Sequence, residues 1–126
     1  MASGLKTFKF GWYGDGGLGE RLIQDIVSGR KTATSCLAYE TEDAGLQEGD
    51  RLNLVDKRGT SYATLVVTKI EIRHYGTFDE SIARASGTTL AELKAKTKFA
   101  NGREPWADED MRVVYFKVVG PPLKNR

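Results

Sequence analysis

The stretch that most constrains the fold is SYATLVVTKIEIRHY, residues 61–75. It is rich in β-branched residues and has no glycine or proline to break it, so it predicts one long strand. Side chains alternate between the faces of a strand. Ala63, Leu65 and Val67 fall on one face, and Val66, Ile70 and Ile72 on the other. A strand apolar on both faces is expected to curve, with a bulge, as the strands of small barrels do. RLNLVD at 51–56, joined to it by a Lys57-Arg58-Gly59 turn, completes a hairpin.

The remaining elements follow from periodicity and end signals. KTFKFGW at 6–12 alternates and predicts a short strand. After the loop GDGGLG, residues Leu18, Leu22, Ile23, Ile26 and Val27 share one face of a helix. Asp15 is its candidate cap and Gly29 its stop. Thr77 with Glu80, and Thr89 with Glu92, form T-x-x-E capping boxes for two later helices, FDESIARAS and LAELKAKTKF. RVVYFKVV at 112–119 is the last strand. The order β-α-β-β-β-α-α-β predicts an α+β fold: a small mixed or antiparallel β-barrel flanked by helices. We expect a single domain over 1–126, with its core at about residues 8–119.

Several function classes are disfavoured. A net charge of +2 is too small to indicate phosphate-driven nucleic-acid binding by itself. The lone Cys36 cannot form an internal disulfide, and no apolar run is long enough to span a membrane. The first ten residues contain no apolar signal core, so a cytoplasmic location and no membrane partner are expected. His74 stands alone and no zinc spacing exists, which predicts no metal. GDGGLG matches G-x-G-x-x-G, but the preceding strand alternates. No second parallel strand is expected to close a βαβ unit, so no dinucleotide cofactor is expected. The backbone N–H groups of Gly16 and Gly17, ahead of a helix, remain candidates to meet an anion or a ribose. Trp106, in a polar loop, is a candidate to stack on a base.

The chemistry concentrates in GRKTATSC, residues 29–36. On structural grounds Gly29 ends the helix, Arg30 and Lys31 answer its C-terminal dipole, and a strand begins. The same residues also make a candidate site. A lysine of lowered pKa can activate a hydroxyl nucleophile, and Arg30 supplies a neighbouring cation to lower it. Lys31 and Thr34 are three apart and would face opposite ways in a regular strand. They can meet only if Lys31 lies in the turn.

GRKTAT at 29–34 resembles the G-[RK]-K-T-x-T hallmark of the ASCH family, a PUA-like group. FGWYGDGGLGERLIQDIVSGRK, the Glu48-Gly49-Asp50 turn, FDESIARASGTTLAELK and RVVYFKVV resemble it in the same order. The resemblance implies a β-barrel flanked by helices, with a cleft facing a nucleoside or RNA. Some members are amidohydrolases that remove the acetyl group from N4-acetylcytidine, others are ribonucleases, and others bind RNA without known catalysis. By that resemblance Lys31 and Thr34 are catalytic, with a glutamate from a later helix. This chain has Ser86 where that glutamate stands, which leaves Glu80 or Glu40 as substitute acids. The reading carried forward is an amidohydrolase acting on N4-acylated cytidine or a related small nucleoside. Arg30, Gly16, Gly17 and Trp106 are its candidate substrate-binding residues. A ribonuclease and a non-catalytic RNA-binding module are the alternatives.

Overall fold

The computed structural model describes residues 5–39 and 45–121. Five strands, β1 (Leu5–Lys9), β2 (Ala33–Leu37), β3 (Arg51–Val55), β4 (Ser61–His74) and β5 (Asp110–Gly120), form one sheet in the order β1-β3-β4-β5-β2. Three helices accompany it: α1 (Leu18–Val27), α2 (Glu80–Ala85) and α3 (Leu90–Asn101). The element order matches the sequence expectation. The sheet is a curled half-barrel with β1 and β2 at its two edges.

The curvature arises in β4, as its two apolar faces predict. Its register against β5 shifts between Thr64 and Leu65 and again between Val67 and Lys69. The second shift leaves Thr68 without an opposite residue and resets the alternation. Ile70 therefore lies opposite Val114 and packs on the same core as Val67. The straight alternation that places Ile70 with Val66 and Ile72 on the other face is corrected accordingly, and Ile72 is exposed.

Two apolar cores result, one on each face of β5. Val114 and Phe116 join Phe8, Leu52, Leu54, Leu65 and Val67 in the core that α1 covers with Ile23 and Ile26. Val113 and Met111 join Ala33 and Leu37 of β2 in the core covered by Ile82, Ala83 and Leu93 of α2 and α3. Val27, assigned to the buried face of α1 by periodicity, is exposed.

Two further expectations are corrected. β1 pairs parallel with β3, so a second parallel strand does exist. Both α1 and β2 lie between them in sequence, with β2 at the far edge of the sheet, so no compact βαβ unit forms. The Thr77–Glu80 capping box is absent. Asp79 caps α2 by accepting the Ile82 N–H at 3.2 Å, while the Thr77 hydroxyl donates to the His74 carbonyl at 2.6 Å in a short 3₁₀ turn. Thr89 does cap α3, accepting the Glu92 N–H at 3.2 Å.

Candidate functional site

The cleft is assembled by three backbone contacts. Gly29 adopts φ 86°, beyond the end of α1, and reverses the chain there. The Lys31 N–H then donates back to the Asp25 carbonyl at 2.9 Å. Lys31 thus sits in the turn, two residues before β2 begins, as its pairing with Thr34 requires. The Thr32 N–H donates to the Ala85 carbonyl at 2.6 Å, which docks the end of α2 on this turn. Gly87 completes the junction: its φ is +82°, and a Cβ there would lie 3.1 Å from the Arg30 carbonyl and 3.3 Å from Lys31 Cβ.

On the other side, α1 starts hard against the end of β1. A Cβ on Gly19 would lie 2.4 Å from Gly11 Cα, so only glycine permits this approach. The buried Asp15 carboxylate organises the loop between them by accepting the N–H groups of Trp12, Gly17 and Gly19. Burial works to raise its pKa, but the three N–H groups and Lys57 prevail and hold it at about 2.

Between these two seams lies a cleft of about 410 Å³. Lys31, Thr34 and Ser86 all line it. Lys31 is only 5% exposed, and its Nζ donates to the Ala33 carbonyl at 2.7 Å. Burial, helped by the positive charge of Lys96 and opposed by Asp25, pushes its pKa down to about 7. A good fraction of Lys31 is therefore neutral near pH 7, with a lone pair to accept a proton. Thr34 is half-buried on β2, opposite Val114. Ser86 is 3% exposed, and its Oγ has no hydrogen-bond partner among the described residues. A buried hydroxyl left unpaired is costly unless a ligand or water answers it.

The other sequence candidates fall elsewhere. Arg30 does not line this cleft: its guanidinium is exposed and pairs with Asp25 at 3.0 Å. The cation acting on Lys31 is Lys96, one of a run of alternating lysines in α3, and not Arg30. Gly16 and Gly17 lie outside the cleft lining, and the Gly17 N–H is already held by Asp15 at 3.0 Å. The Gly17 N–H thus serves the loop's own structure. Trp106 is 67% exposed, has the Arg103 guanidinium 4.6 Å from its ring centroid, and is not part of the cleft. Glu80 accepts the Leu90 N–H at 3.3 Å and joins α2 to α3 outside the cleft. Glu40 lies outside the described residues. His74 is a surface residue against Asp110.

Sequence reasoning missed much of the wall. Trp12 lines the cleft and its ring lies 5.8 Å from that of Phe99 on α3, a contact that joins the two sides. Phe10, Lys9, Thr97 and Asn101 also line it. The available signal for Trp12 was an aromatic residue closing the alternating stretch 6–12 ahead of a glycine-rich loop; β1 itself ends earlier, at Lys9. No such local signal marks Asn101, the last residue of α3, two positions past the end of the expected helix at Phe99.

Among the described residues no cluster of His, Cys, Asp and Glu is suited to hold a metal ion. No helix among them is long and apolar enough to cross a membrane.

Comparison with known proteins bears on the family. A family model described as ASCH domain matches residues 9–120. No curated protein matches the sequence. Among solved structures, an ASCH domain from Lactobacillus crispatus superposes with a TM-score of 0.74 at 20% identity, covering 91% of this chain and 80% of that one. Protein EF3133 from Enterococcus faecalis gives a TM-score of 0.70 at 28% identity, covering 92% of this chain and 77% of that one. A mutant ASCH protein from Zymomonas mobilis gives 0.60 at 11% identity, covering 93% and 70%.

Proposed function

The chain belongs to the ASCH domain family, and from that premise we propose that it is an amidohydrolase removing the acyl group from N4-acylated cytidine or a related nucleoside. The observation that carries the reading is a buried lysine of pKa about 7 in one cleft with a threonine hydroxyl and an unpaired buried serine hydroxyl. A base poised near neutral pH is what proton transfer to and from an amide requires.

In this reading the Thr34 hydroxyl gives its proton to Lys31 Nζ as its oxygen attacks the acyl carbonyl carbon. The carbonyl oxygen becomes an oxyanion, and the Ser86 hydroxyl is the donor that receives it. Lys31, now an ammonium, protonates the N4 leaving amine as the C–N bond breaks. Cytidine departs and the acyl group remains on Thr34 as an ester. Water then attacks that ester with Lys31 again as base, the carboxylic acid leaves, and Thr34 is restored. Trp12 and Phe10 offer the cleft's aromatic surface to the pyrimidine. No carboxylate is among the cleft's lining residues, so the step that relatives assign to a glutamate falls to Lys31 alone.

Turnover of N4-acetylcytidine by wild type, Lys31→Ala and Thr34→Ala tests the assignment. Hydrolysis by wild type and its loss in both variants is expected. Equal rates in all three, or no release of cytidine by wild type, rejects it.

A further inference from the structure

Three lysines, Lys9, Lys31 and Lys96, line the cleft together with no carboxylate. Elsewhere on the molecule Lys6, Lys57 and Arg103 stand against acidic side chains. Lys9 and Lys96 make no ion pair among the described residues. Glu92, one turn before Lys96 on α3, is turned to the hydroxyls of Thr88 and Thr89 at 2.8 and 3.3 Å. Asp25 acts on Lys31 and Glu92 on Lys96 through their charges from outside the lining, but no carboxylate stands in the cleft itself, so an anion entering it meets three lysines.

The two ammonium groups come from different walls. Lys9 is the last residue of β1 and Lys96 lies in the middle of α3, so the positive charge does not come from one flexible segment. Lys96 also lines a groove along α1 that shares Leu18 and Leu22 with the cleft and carries Glu20 and Asp25 beside Arg21 and Arg30. Deeper in, the buried Ser86 Oγ is unpaired and lines the same cavity. The cleft thus has a reacting end of neutral hydroxyls beside Lys31, and two further cationic side chains that take no proton in the proposed reaction.

We propose that the preferred ligand is a nucleoside monophosphate, bound more tightly than the uncharged nucleoside, with Lys96 and Lys9 binding its phosphate. This rests on the amidohydrolase reading for the base and acyl group, but the phosphate preference stands on the charge of the cleft lining. A volume of about 410 Å³ suits a single nucleotide. The overall charge of +2 favours a mononucleotide over an extended RNA strand, whose phosphates would need a basic path along the surface.

Calorimetric binding of cytidine, of cytidine 5′-monophosphate and of a short cytidine-rich RNA to the full chain at low salt tests this without requiring hydrolysis. The monophosphate is expected to bind about tenfold or more tighter than cytidine, the scale of one or two charge-assisted hydrogen bonds. Lys96→Gln is expected to remove most of that advantage and Lys9→Gln part of it. Added salt is expected to narrow the gap. Equal affinity for cytidine and its monophosphate, binding of neither, or an advantage that survives both substitutions overturns the proposal. Tighter binding of the RNA than of the monophosphate overturns it in favour of a strand-binding surface. Tighter monophosphate binding without turnover of either N4-acetylcytidine or its 5′-monophosphate upholds the phosphate site and rejects the amidohydrolase reading, so the two failures are separable.

Discussion

The Thr32 N–H donates to the Ala85 carbonyl at 2.6 Å, and this bond sets the turn that carries Lys31 beside the helix end that carries Ser86. The two residues come from segments more than fifty positions apart in sequence. Their meeting depends on backbone groups and not on an ion pair, because Ser86 carries no charge. Lys31 and Ser86 therefore share one cleft without a carboxylate among its lining residues.

Gly87 tests that junction. Its φ of +82° strains any side chain, and the 3.1 Å approach of the Arg30 carbonyl would have to open by a few tenths of an ångström to admit a Cβ. Gly87→Ala is expected to destabilise the fold by about 1–2 kcal/mol and to lower activity further than the stability loss explains. Urea unfolding together with turnover of the still-folded fraction measures both.

Lys31 should oppose stability in the pH range where it serves chemistry. Its folded pKa, about 7, lies below the ordinary 10.5. Between those values the unfolded chain holds a proton that the folded chain lacks, so stability rises with pH across that window. Below pH 7 the buried charge exerts its full penalty. Lys31→Met is therefore expected to be inactive yet more stable at pH 7, by on the order of 4 kcal/mol before packing losses. The gain should fade as pH approaches 10.5, which thermal melts across that range follow.

Lys96 lowers the pKa of Lys31 through its charge. Lys96→Gln is expected to move the acid limb of kcat/KM for N4-acetylcytidine to higher pH while the alkaline plateau is retained. Ser86→Glu is expected to move it the same way and further, because a carboxylate at that position favours the ammonium form.

Asp15 holds the loop at the mouth of the cleft through three N–H groups. Its pKa of about 2 lies below the ordinary 3.8, so its contribution is complete above 3.8 and is lost as pH falls toward 2. Asp15→Asn is expected to lower Tm by several degrees at pH 7 and by less at pH 3, which differential scanning calorimetry resolves.

Much of this architecture is legible in the sequence because it rests on local signals. The double apolar face of 61–75 implied the bulged strand, Gly29 implied the helix stop, and the turn before Thr34 followed from the glycine and cations ahead of it. What was not legible depends on long-range placement. Asp79 displaced Thr77 as a cap because Asp79, and not Thr77, immediately precedes the first turn of α2. Arg30 was drawn away from Lys31 by Asp25, five residues earlier and one turn up the helix. Lys96 reached Lys31 only through the packing of α3, and the pattern of alternating lysines gave no sign of which one would face inward.

Lys31 acts as a base that is about half neutral at pH 7. The pH dependence of kcat/KM for N4-acetylcytidine hydrolysis by the wild-type chain measures it most directly. The account predicts a rate that rises through an apparent pKa of about 7 and then levels, with no such limb in Lys31→Ala. A limb near the ordinary lysine value of 10.5, or a profile that Lys31→Ala reproduces, contradicts it.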